Sequence, residues 1–464
     1  MKRGKTNRWL TPMRVLLCID LVLIVLAVTA AANLRFLEDP EGHTAFLETA
    51  ALRALLVAAA LTTAMSLFGL YQSTLRYRLA DLLLRVGLSF AFGGSALLVV
   101  YYAFPPAYIG RGVLAMALGL SMVAIVAIRV LAQRMVRSEA FKRRILVLGA
   151  GGNANLINER LRRTSDRSAF AIVGFVPIGT QPVTVDAHLI RQPIDGLAAL
   201  AESLNVAEIV VAPDERRGAM PMEEMLICAQ RGIQVTDLSS FFEREAGVVT
   251  LSIADPSWLV FSGGFDHSLP RRLSKRFFDL AAASLLLLMA WPVMLIVAVC
   301  VKLESPGPML YRQCRVGEFG EEFELVKFRS MRVDAESDGV ARWATVGDDR
   351  STRVGRFIRR TRLDELPQLF NVLRGEMSFV GPRPERPQFV GMLAQEVRYY
   401  NVRHSIKPGL TGWAQVRYPY GASVRDAEEK LKFDLFYVKN HGLVFDLMIL
   451  MQTVEVVLFQ RGSR

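Results

Sequence analysis

FFDLAAASLLLLMAWPVMLIVAVCVKL, residues 277–303, is long and apolar enough to cross a bilayer, yet Trp291-Pro292 falls at its midpoint. Proline lacks an amide hydrogen and its ring crowds the preceding turn, so a helix kinked at Pro292 is predicted. The flanks are basic on both sides. Arg271, Arg272, Lys275 and Arg276 precede the stretch; Lys302, Arg312, Arg315, Lys327 and Arg329 follow it, with no acidic cluster at either end. Lys and Arg are retained on the cytoplasmic side of a membrane. A straight fifth span would carry everything after Leu303 to the outside. A helix that enters, bends at Pro292 and returns keeps both flanks on one face, so a re-entrant helix over 277–303 is expected.

Upstream, the chain is dominated by Leu, Ala and Val. Val15 to Ala32 is apolar except for Asp20, and three more runs of spanning length follow, about Thr49 to Leu70, Leu79 to Phe104 and Val113 to Val136. Lys2, Arg3, Lys5, Arg8 and Arg14 precede the first run, Arg76 and Arg78 separate the second and third, and Arg134, Arg137, Lys142, Arg143 and Arg144 follow the fourth. The connector after the first run is acidic (Glu38, Asp39, Glu41, Glu48). Four transmembrane helices with both ends in the cytoplasm are therefore expected. The formal net charge of the 464 residues is +12. Its basic residues sit beside apolar segments and do not alternate with aromatics, which favours anionic lipid and phosphorylated small molecules over nucleic acid. The four cysteines form no CxxC or metal spacing, so neither a disulfide framework nor a zinc site is implied.

From Arg144 the pattern changes. Ile145-Leu146-Val147-Leu148 runs into Gly149-Ala150-Gly151-Gly152-Asn153-Ala154; a helix over Leu156 to Arg163, strands at Ala169 to Val176 and Glu208 to Ala212, and a strand at Gln234 to Thr236 follow. Alternating β and α elements predict a parallel sheet of Rossmann type. The second strand ends in Gly174-Phe175-Val176-Pro177, without the acidic residue a dinucleotide fingerprint needs. There is also no Tyr between Tyr108 and Tyr311 and no Lys between Lys142 and Lys275, so Tyr/Lys redox chemistry has no residues to use. A structural or regulatory module is expected. The fold class is thus a mixed membrane protein: a four-helix block over 1–140, a Rossmann-like α/β module over 141–262, and an α-rich monotopic domain over 263–464 that holds the re-entrant helix. Leu443 to Phe459 reads as a helix too polar to span, lying in the interface.

Downstream, Arg359-Arg360-Thr361-Arg362-Leu363-Asp364-Glu365-Leu366-Pro367 sets two adjacent carboxylates behind an arginine cluster, and Gly381-Pro382-Arg383-Pro384 follows. Read alone, Asp364 and Glu365 serve equally as the cap and first-turn acid of a helix beginning near Leu366, or as an anion and metal site. His404 and His441 have no Ser or Cys elbow beside them, so triad hydrolysis is unsupported. Phosphoryl chemistry suits the residue types. A carboxylate can attack phosphorus, a second can hold Mg²⁺ bridging diphosphate oxygens, and arginines neutralise the charge that develops.

Five ordered blocks carry a resemblance: Lys275-Arg276-Phe277-Phe278-Asp279, Lys327-Phe328-Arg329-Ser330-Met331, Leu363 to Asn371, Phe379-Val380-Gly381-Pro382-Arg383-Pro384, and Lys407-Pro408-Gly409-Leu410-Thr411-Gly412-Trp413-Ala414-Gln415-Val416. Together they resemble the bacterial sugar transferase family, the monotopic phosphoglycosyl transferases, in its long form with membrane helices and a Rossmann-like module upstream. The resemblance implies transfer of a sugar 1-phosphate from a UDP-sugar to undecaprenyl phosphate with release of UMP, at the cytoplasmic face of a bacterial inner membrane, initiating exopolysaccharide or a related glycan. It implies Asp364 as the nucleophile, Glu365 as the Mg²⁺ ligand, and Lys327, Arg329, Arg359 and Arg383 near the phosphates. Two departures stand out. Trp291 replaces the Ser usual before the helix-breaking Pro292, and Arg417-Tyr418-Pro419-Tyr420-Gly421 replaces the usual Asn-Gly-Arg run, a change similar to members linked to exosortase-associated clusters. The competing readings are a membrane-anchored nucleotide-sugar dehydratase or epimerase, and a non-enzymatic scaffold for polysaccharide assembly. The membrane block and the Rossmann-like module both offer surfaces for a homodimer.

Overall fold

The computed structural model describes residues 12–459 apart from 39, 69, 72–78, 137–141, 163–166, 168, 180, 216–219, 254–260, 262, 266–267, 334–349, 420 and 422. Lys2, Arg3, Lys5, Arg8, Arg76, Arg78, Arg137 and Tyr420 lie outside the described residues. The chain divides into two compact units, Met1–Ala246 and Gly247–Arg464.

Four long helices open the first unit: α1 (Pro12–Arg35), α2 (Pro40–Leu67), α3 (Leu79–Ala103) and α4 (Arg111–Val136). All four contain an apolar stretch long enough to cross a membrane. The second starts at Pro40, nine residues before the expected apolar run, because proline at a first helical position loses no hydrogen bond. Ile24, Val28, Val57, Leu61, Met65, Leu97 and Ile125 share one core, whereas Leu52, Val99, Tyr102 and Val123 point outward at 68–92 % exposure. In water that outward face would be an aggregation hazard; against lipid it is ordinary. Asp20, the one charge in the first run, is fully buried and paired with Arg129 of α4 at 2.6 Å. Tyr71 donates to the same carboxylate at 2.8 Å, and Arg129 also donates to the Leu70 carbonyl near the end of α2. An intramembrane charge is tolerated when it is paired in this way.

The same unit carries a four-stranded parallel sheet, β1 (Arg143–Leu148), β2 (Phe170–Val176), β3 (Glu208–Val211) and β4 (Gln234–Asp237), in the order β2-β1-β3-β4. Ile145–Leu148 of β1 and Ile209–Val211 of β3, the central strands, are apolar and buried, as a sheet covered on both faces requires, and buried Glu208 at the start of β3 is paired with Arg143 and Arg244. Helix α5 (Gly152–Arg160) begins at the glycine loop itself, four residues before the expected Leu156. Three further helices, α6 (Leu197–Ser203), α7 (Met222–Gln230) and α8 (Leu238–Ala246), complete this part.

The second unit is built on α9 (Leu269–Glu304), at 36 residues the longest helix among the described residues. It is helical throughout, Trp291-Pro292 included: proline costs the helix one backbone hydrogen bond without ending it. Both ends of α9 are docked. At the N-terminal end Arg276 donates to the carbonyls of Val372 and Leu373, and Asp279 accepts from Ser378 Oγ and the Phe379 amide. At the C-terminal end Val297 and Val301 pack with Phe328 and Ile358, and Glu304 accepts from the amides of Arg353 and Val354. Between them Leu285, Leu288, Met289, Trp291, Leu295 and Ile296 are 57–71 % exposed. Around α9 lie an antiparallel hairpin, β5 (Leu310–Val316) and β6 (Glu322–Phe328), and a parallel pair, β7 (Ser378–Val380) and β8 (Gly409–Thr411). The helices are α10 (Arg353–Arg360), α11 (Gln368–Arg374), α12 (Pro387–Glu396), α13 (Trp413–Arg417), α14 (Val424–Asn440) and α15 (Leu443–Phe459).

Candidate active site

Helix α10 is capped by Thr352, whose hydroxyl accepts from the Gly355 amide at 2.9 Å, and by the Glu304 carboxylate. It buries Ile358 and turns Arg356 and Arg360 outward. After Thr361 the backbone reverses at Arg362 in the left-handed region (φ 60°), a conformation that costs a non-glycine residue about 1 kcal/mol or more. Leu363–Glu365 then form a single 3₁₀ turn, and α11 begins only at Gln368 with Pro367 at its cap position. Asp364 and Glu365 are therefore not the cap of a helix beginning near Leu366. Proline cannot donate an amide to a preceding carboxylate, so the two acids are directed elsewhere.

The pair divides sharply. Asp364 is 7 % exposed, and its Oδ1 is buried with no hydrogen-bond partner. Burial, then the neighbouring Glu365, pushes its carboxyl up to about 6 against the opposing pull of Lys327, Arg383 and Arg359. Glu365 Oε1 accepts from Arg383 Nη2 at 3.0 Å and Arg362 Nη1 at 3.1 Å. Burial alone would raise this group, but the two guanidiniums outweigh it and hold it below the ordinary glutamate value. One acid thus keeps a buried oxygen without a partner, while the other is held ionised between two guanidiniums.

Lys327 lies on β6, its ammonium 5.2 Å from the ring of Tyr311, the residue opposite it on β5. Burial first, then Arg315, lowers its pKa to about 8. Asn371 fixes this strand: its amide donates to the Glu324 carbonyl and accepts from the Val326 amide, so α11 and β6 move together. Arg383 follows β7 through Gly381-Pro382. A side chain at Gly381 would collide with the Lys407 backbone carbonyl, which is why the chain can turn here only on glycine. The Arg383 carbonyl accepts from Arg403 Nη2, and Arg403 is in turn paired with buried Asp434 at 2.8 Å.

The structure thus brings Asp364, Glu365, Lys327, Arg359 and Arg383 into one electrostatic group. Arg359 also donates to Ser351 Oγ at 3.1 Å. Arg329 is not in that group. It is 5 % exposed and spends its guanidinium on the carbonyls of Pro306 and Ser305 and on Ser305 Oγ, closing the turn after α9. Alternation would put Lys327 and Arg329, two apart, on one face, but β6 ends at Phe328, so Arg329 is no longer held to that face. Sequence reasoning did not assign Arg315, Asn371, Arg403 or Asp434 to the site. Only the period-two face shared by Tyr311, Gln313 and Arg315 could have singled out the first.

Among the described residues no group of three or more His, Cys, Asp and Glu could cage a metal. Magnesium asks for less: one or two carboxylates, with the substrate phosphates and water completing its shell. The buried, unpartnered Oδ1 of Asp364 beside ionised Glu365 fits that demand.

The glycine loop of the first unit is occupied from within. The Asp214 carboxylate accepts from the amides of Gly152 and Asn153 at 2.9 and 2.7 Å, covering the first turn of α5 where a dinucleotide phosphate would bind.

Residues 270–460 match the model of the family described as bacterial sugar transferase. The chain is 45% identical over 190 residues to UDP-N-acetylgalactosamine-undecaprenyl-phosphate N-acetylgalactosaminephosphotransferase of Aeromonas hydrophila, covering 41% of this chain and 45% of that protein. It is 45% identical over 185 residues to UDP-glucose:undecaprenyl-phosphate glucose-1-phosphate transferase of Escherichia coli (strain K12), covering 39% and 40%. Exopolysaccharide production protein PSS of Rhizobium leguminosarum bv. phaseoli is 44% identical over 186 residues, 39% of this chain and 92% of that protein. The chain thus spans under half the length of the Aeromonas and Escherichia relatives.

Proposed function

Because the chain belongs to the bacterial sugar transferase family, we propose that it transfers a sugar 1-phosphate from a UDP-sugar to undecaprenyl phosphate, releasing UMP and initiating a glycan. The names of the relatives support both the donor and the acceptor class. The observation that carries the chemistry is Asp364: a buried carboxylate with a free oxygen, set among cations, beside an acid already fixed in place.

In the first step an Asp364 oxygen forms a bond to the β-phosphorus of the donor, and the bond from that phosphorus to the oxygen bridging the two phosphates breaks; UMP leaves with the electron pair. In the second, an oxygen of undecaprenyl phosphate forms a bond to the same phosphorus and the aspartyl oxygen leaves, restoring the carboxylate. Arg383 and Lys327 neutralise the phosphoryl oxygens as charge redistributes. Arg359 adds to that field. Glu365, held ionised by its two arginines, would be the residue that holds Mg²⁺, and the metal when bound would supply positive charge to the phosphates as charge redistributes.

The reading places this chemistry on the cytoplasmic face of the bacterial inner membrane. Its support is that both ends of α9 are docked within one compact unit while the middle of the helix is exposed and apolar. A helix crossing the bilayer would deliver its ends to opposite faces. We therefore read 277–303 as re-entrant about Pro292, α1 to α4 as four spans, and the organisation as membrane block 1–140, Rossmann-like module 141–262 and catalytic domain 263–464. Exopolysaccharide assembly is the pathway class suggested by the Rhizobium relative's name. A nucleotide-sugar dehydratase is disfavoured by the carboxylate seated in the glycine loop.

The test is UMP release by the purified full chain with Mg²⁺ and undecaprenyl phosphate across a panel of UDP-sugars. Donor labelled at the β-phosphate should leave label on the protein, and Asp364→Asn should abolish both signals. Turnover retained in Asp364→Asn would remove the nucleophile assignment; no UMP from any donor would remove the activity.

A further inference from the structure

We infer that Arg315 is a positioning residue of the site: with Gln313 and Tyr311 it forms a hydrogen-bonded run along β5 that joins the Arg383 loop to the Lys327 side of the diphosphate-binding group. The inference rests on the transfer reaction proposed above and assigns a frame to it.

Residues 311, 313 and 315 share one face of β5, since side chains alternate along a strand. They are half-buried, whereas Arg312 and Cys314 between them are exposed. Gln313 Nε2 donates to Tyr311 Oη at 3.1 Å, and Arg315 Nη2 donates to Gln313 Oε1 at 2.6 Å. Arg315 Nη1 then donates to the Pro384 carbonyl at 3.0 Å. The next amide of the strand, Val316, donates to the Glu385 carbonyl at 3.0 Å. The end of β5 therefore grips two consecutive residues immediately after Arg383, whose guanidinium reaches Glu365. At the other end of the run the Tyr311 ring faces the Lys327 ammonium. Two cations that meet the same ligand, one from a loop and one from a strand 56 residues away in sequence, are held in register by one row of side chains.

Arg315 is also poorly compensated. Its Nε is buried with no hydrogen-bond partner. Around it stand Lys327, Arg383 and Arg386, and the carboxylate facing it, Glu385, is 3.6 Å away. Burial and these like charges lower even a guanidinium, to about 10. The cations of this group outnumber the carboxylates that face them, which favours an incoming anion such as a diphosphate with its two negative groups. Arg315 does not need to touch that ligand. Its hydrogen bonds aim Arg383, and its charge adds to the field in which the phosphoryl group sits.

The experiment uses the full chain in undecaprenyl-phosphate nanodiscs and reads UMP release together with the Kd for UDP, a diphosphate without a transferable sugar. Arg315→Met is expected to lower kcat at least tenfold and weaken UDP about tenfold, because a loop displaced by a fraction of an ångström misplaces Arg383. Arg315→Lys, which keeps the charge but not the fork, should recover UDP affinity to within about threefold of wild type and leave kcat depressed. Gln313→Leu breaks only the middle of the run, and Gln313→Leu/Arg315→Met should be no slower than Arg315→Met alone, since groups acting as one unit are not additive. A kcat and a UDP Kd within twofold of wild type in Arg315→Met overturn the inference, as do single losses that multiply in the double variant. Failure of the transfer reading is separate: wild type would then release no UMP, and the UDP titration would still decide Arg315.

Discussion

Asp364 makes a direct prediction about pH. With its carboxyl pushed up to about 6, the group is roughly 97% ionised at pH 7.5 and roughly 9% ionised at pH 5, so a reaction that needs the carboxylate slows about tenfold over that interval. An aspartate near the ordinary value of about 3.9 would remain more than about 90% ionised at pH 5 and show almost no change. On the alkaline side Lys327, with a value near 8, loses the charge that neutralises the phosphoryl oxygens, giving a second limb. The profile of kcat/KM for UMP release should therefore be a bell with its maximum near pH 7. Lys327→Met sharpens the test. Removing that cation takes away the alkaline limb and, since Lys327 opposes the rise of Asp364, moves the acid limb upward. The assay is initial-rate UMP release from pH 5 to 9.5 at saturating Mg²⁺, with enzyme preincubated at each pH and returned to pH 7 to show that it survives. An acid limb below pH 5, or one that moves downward in Lys327→Met, would refute the electrostatic assignment of the pair.

Other outcomes follow from buried groups away from the acids. Asp434→Ala strands the Arg403 guanidinium, and loss of one member of a buried pair costs about 3–5 kcal/mol. Spread over the 218 residues of the second unit (464 − 246), that is a fall of roughly 7–11 °C in unfolding temperature. The double change Arg403→Met/Asp434→Leu should recover most of it, and a double variant as unstable as the single one would contradict the account. His404 is buried with its Nε2 unpartnered, and burial lowers its pKa to about 4. The unfolded chain then takes up the proton first as pH falls, so this side chain withdraws about 2 kcal/mol by pH 5, and His404→Phe should flatten the acid slope of a thermal-unfolding series between pH 7 and 5 by that amount. For membrane topology, single cysteines replacing Ser274 and Glu321, on a background lacking the four native ones, should both resist an impermeant thiol reagent in intact cells and react once the inner membrane is opened. Labelling of either in intact cells would oppose the re-entrant reading of α9.

How much of this was legible in the sequence depends on how local the cause is. The four apolar runs became helices α1 to α4 because hydropathy over twenty residues is a property of the run itself, and the βα alternation announced a parallel sheet for the same reason. The strand at 170–176 falls within one residue of the expected limits. The start of α11 was misplaced because Pro367 fits either the last residue of a turn or the first of a helix, and the left-handed Arg362 that selects the turn has no signature in an Arg-Thr-Arg-Leu run. Arg329 shows a deeper limit. Beside Lys327 it reads as one more phosphate cation, but which end of a strand packs over a helix terminus is a tertiary matter, and Arg329 closes the turn after α9.

By itself, then, the sequence determined the inventory: four apolar runs that became helices, a parallel α/β module, a long apolar stretch carrying Pro292 between basic flanks, and a pair of adjacent acids among arginines. Tertiary structure alone decided how the acids differ. Asp364 and Glu365 are neighbours with the same charge and nearly the same chemistry; what separates them is that one is buried with an oxygen no donor reaches, while two guanidiniums, from Arg362 and from Arg383 eighteen residues on, converge on the other. Desolvation and charge proximity act through space. They cannot be read until the chain has folded the 378–383 segment and the β5–β6 hairpin against the same turn.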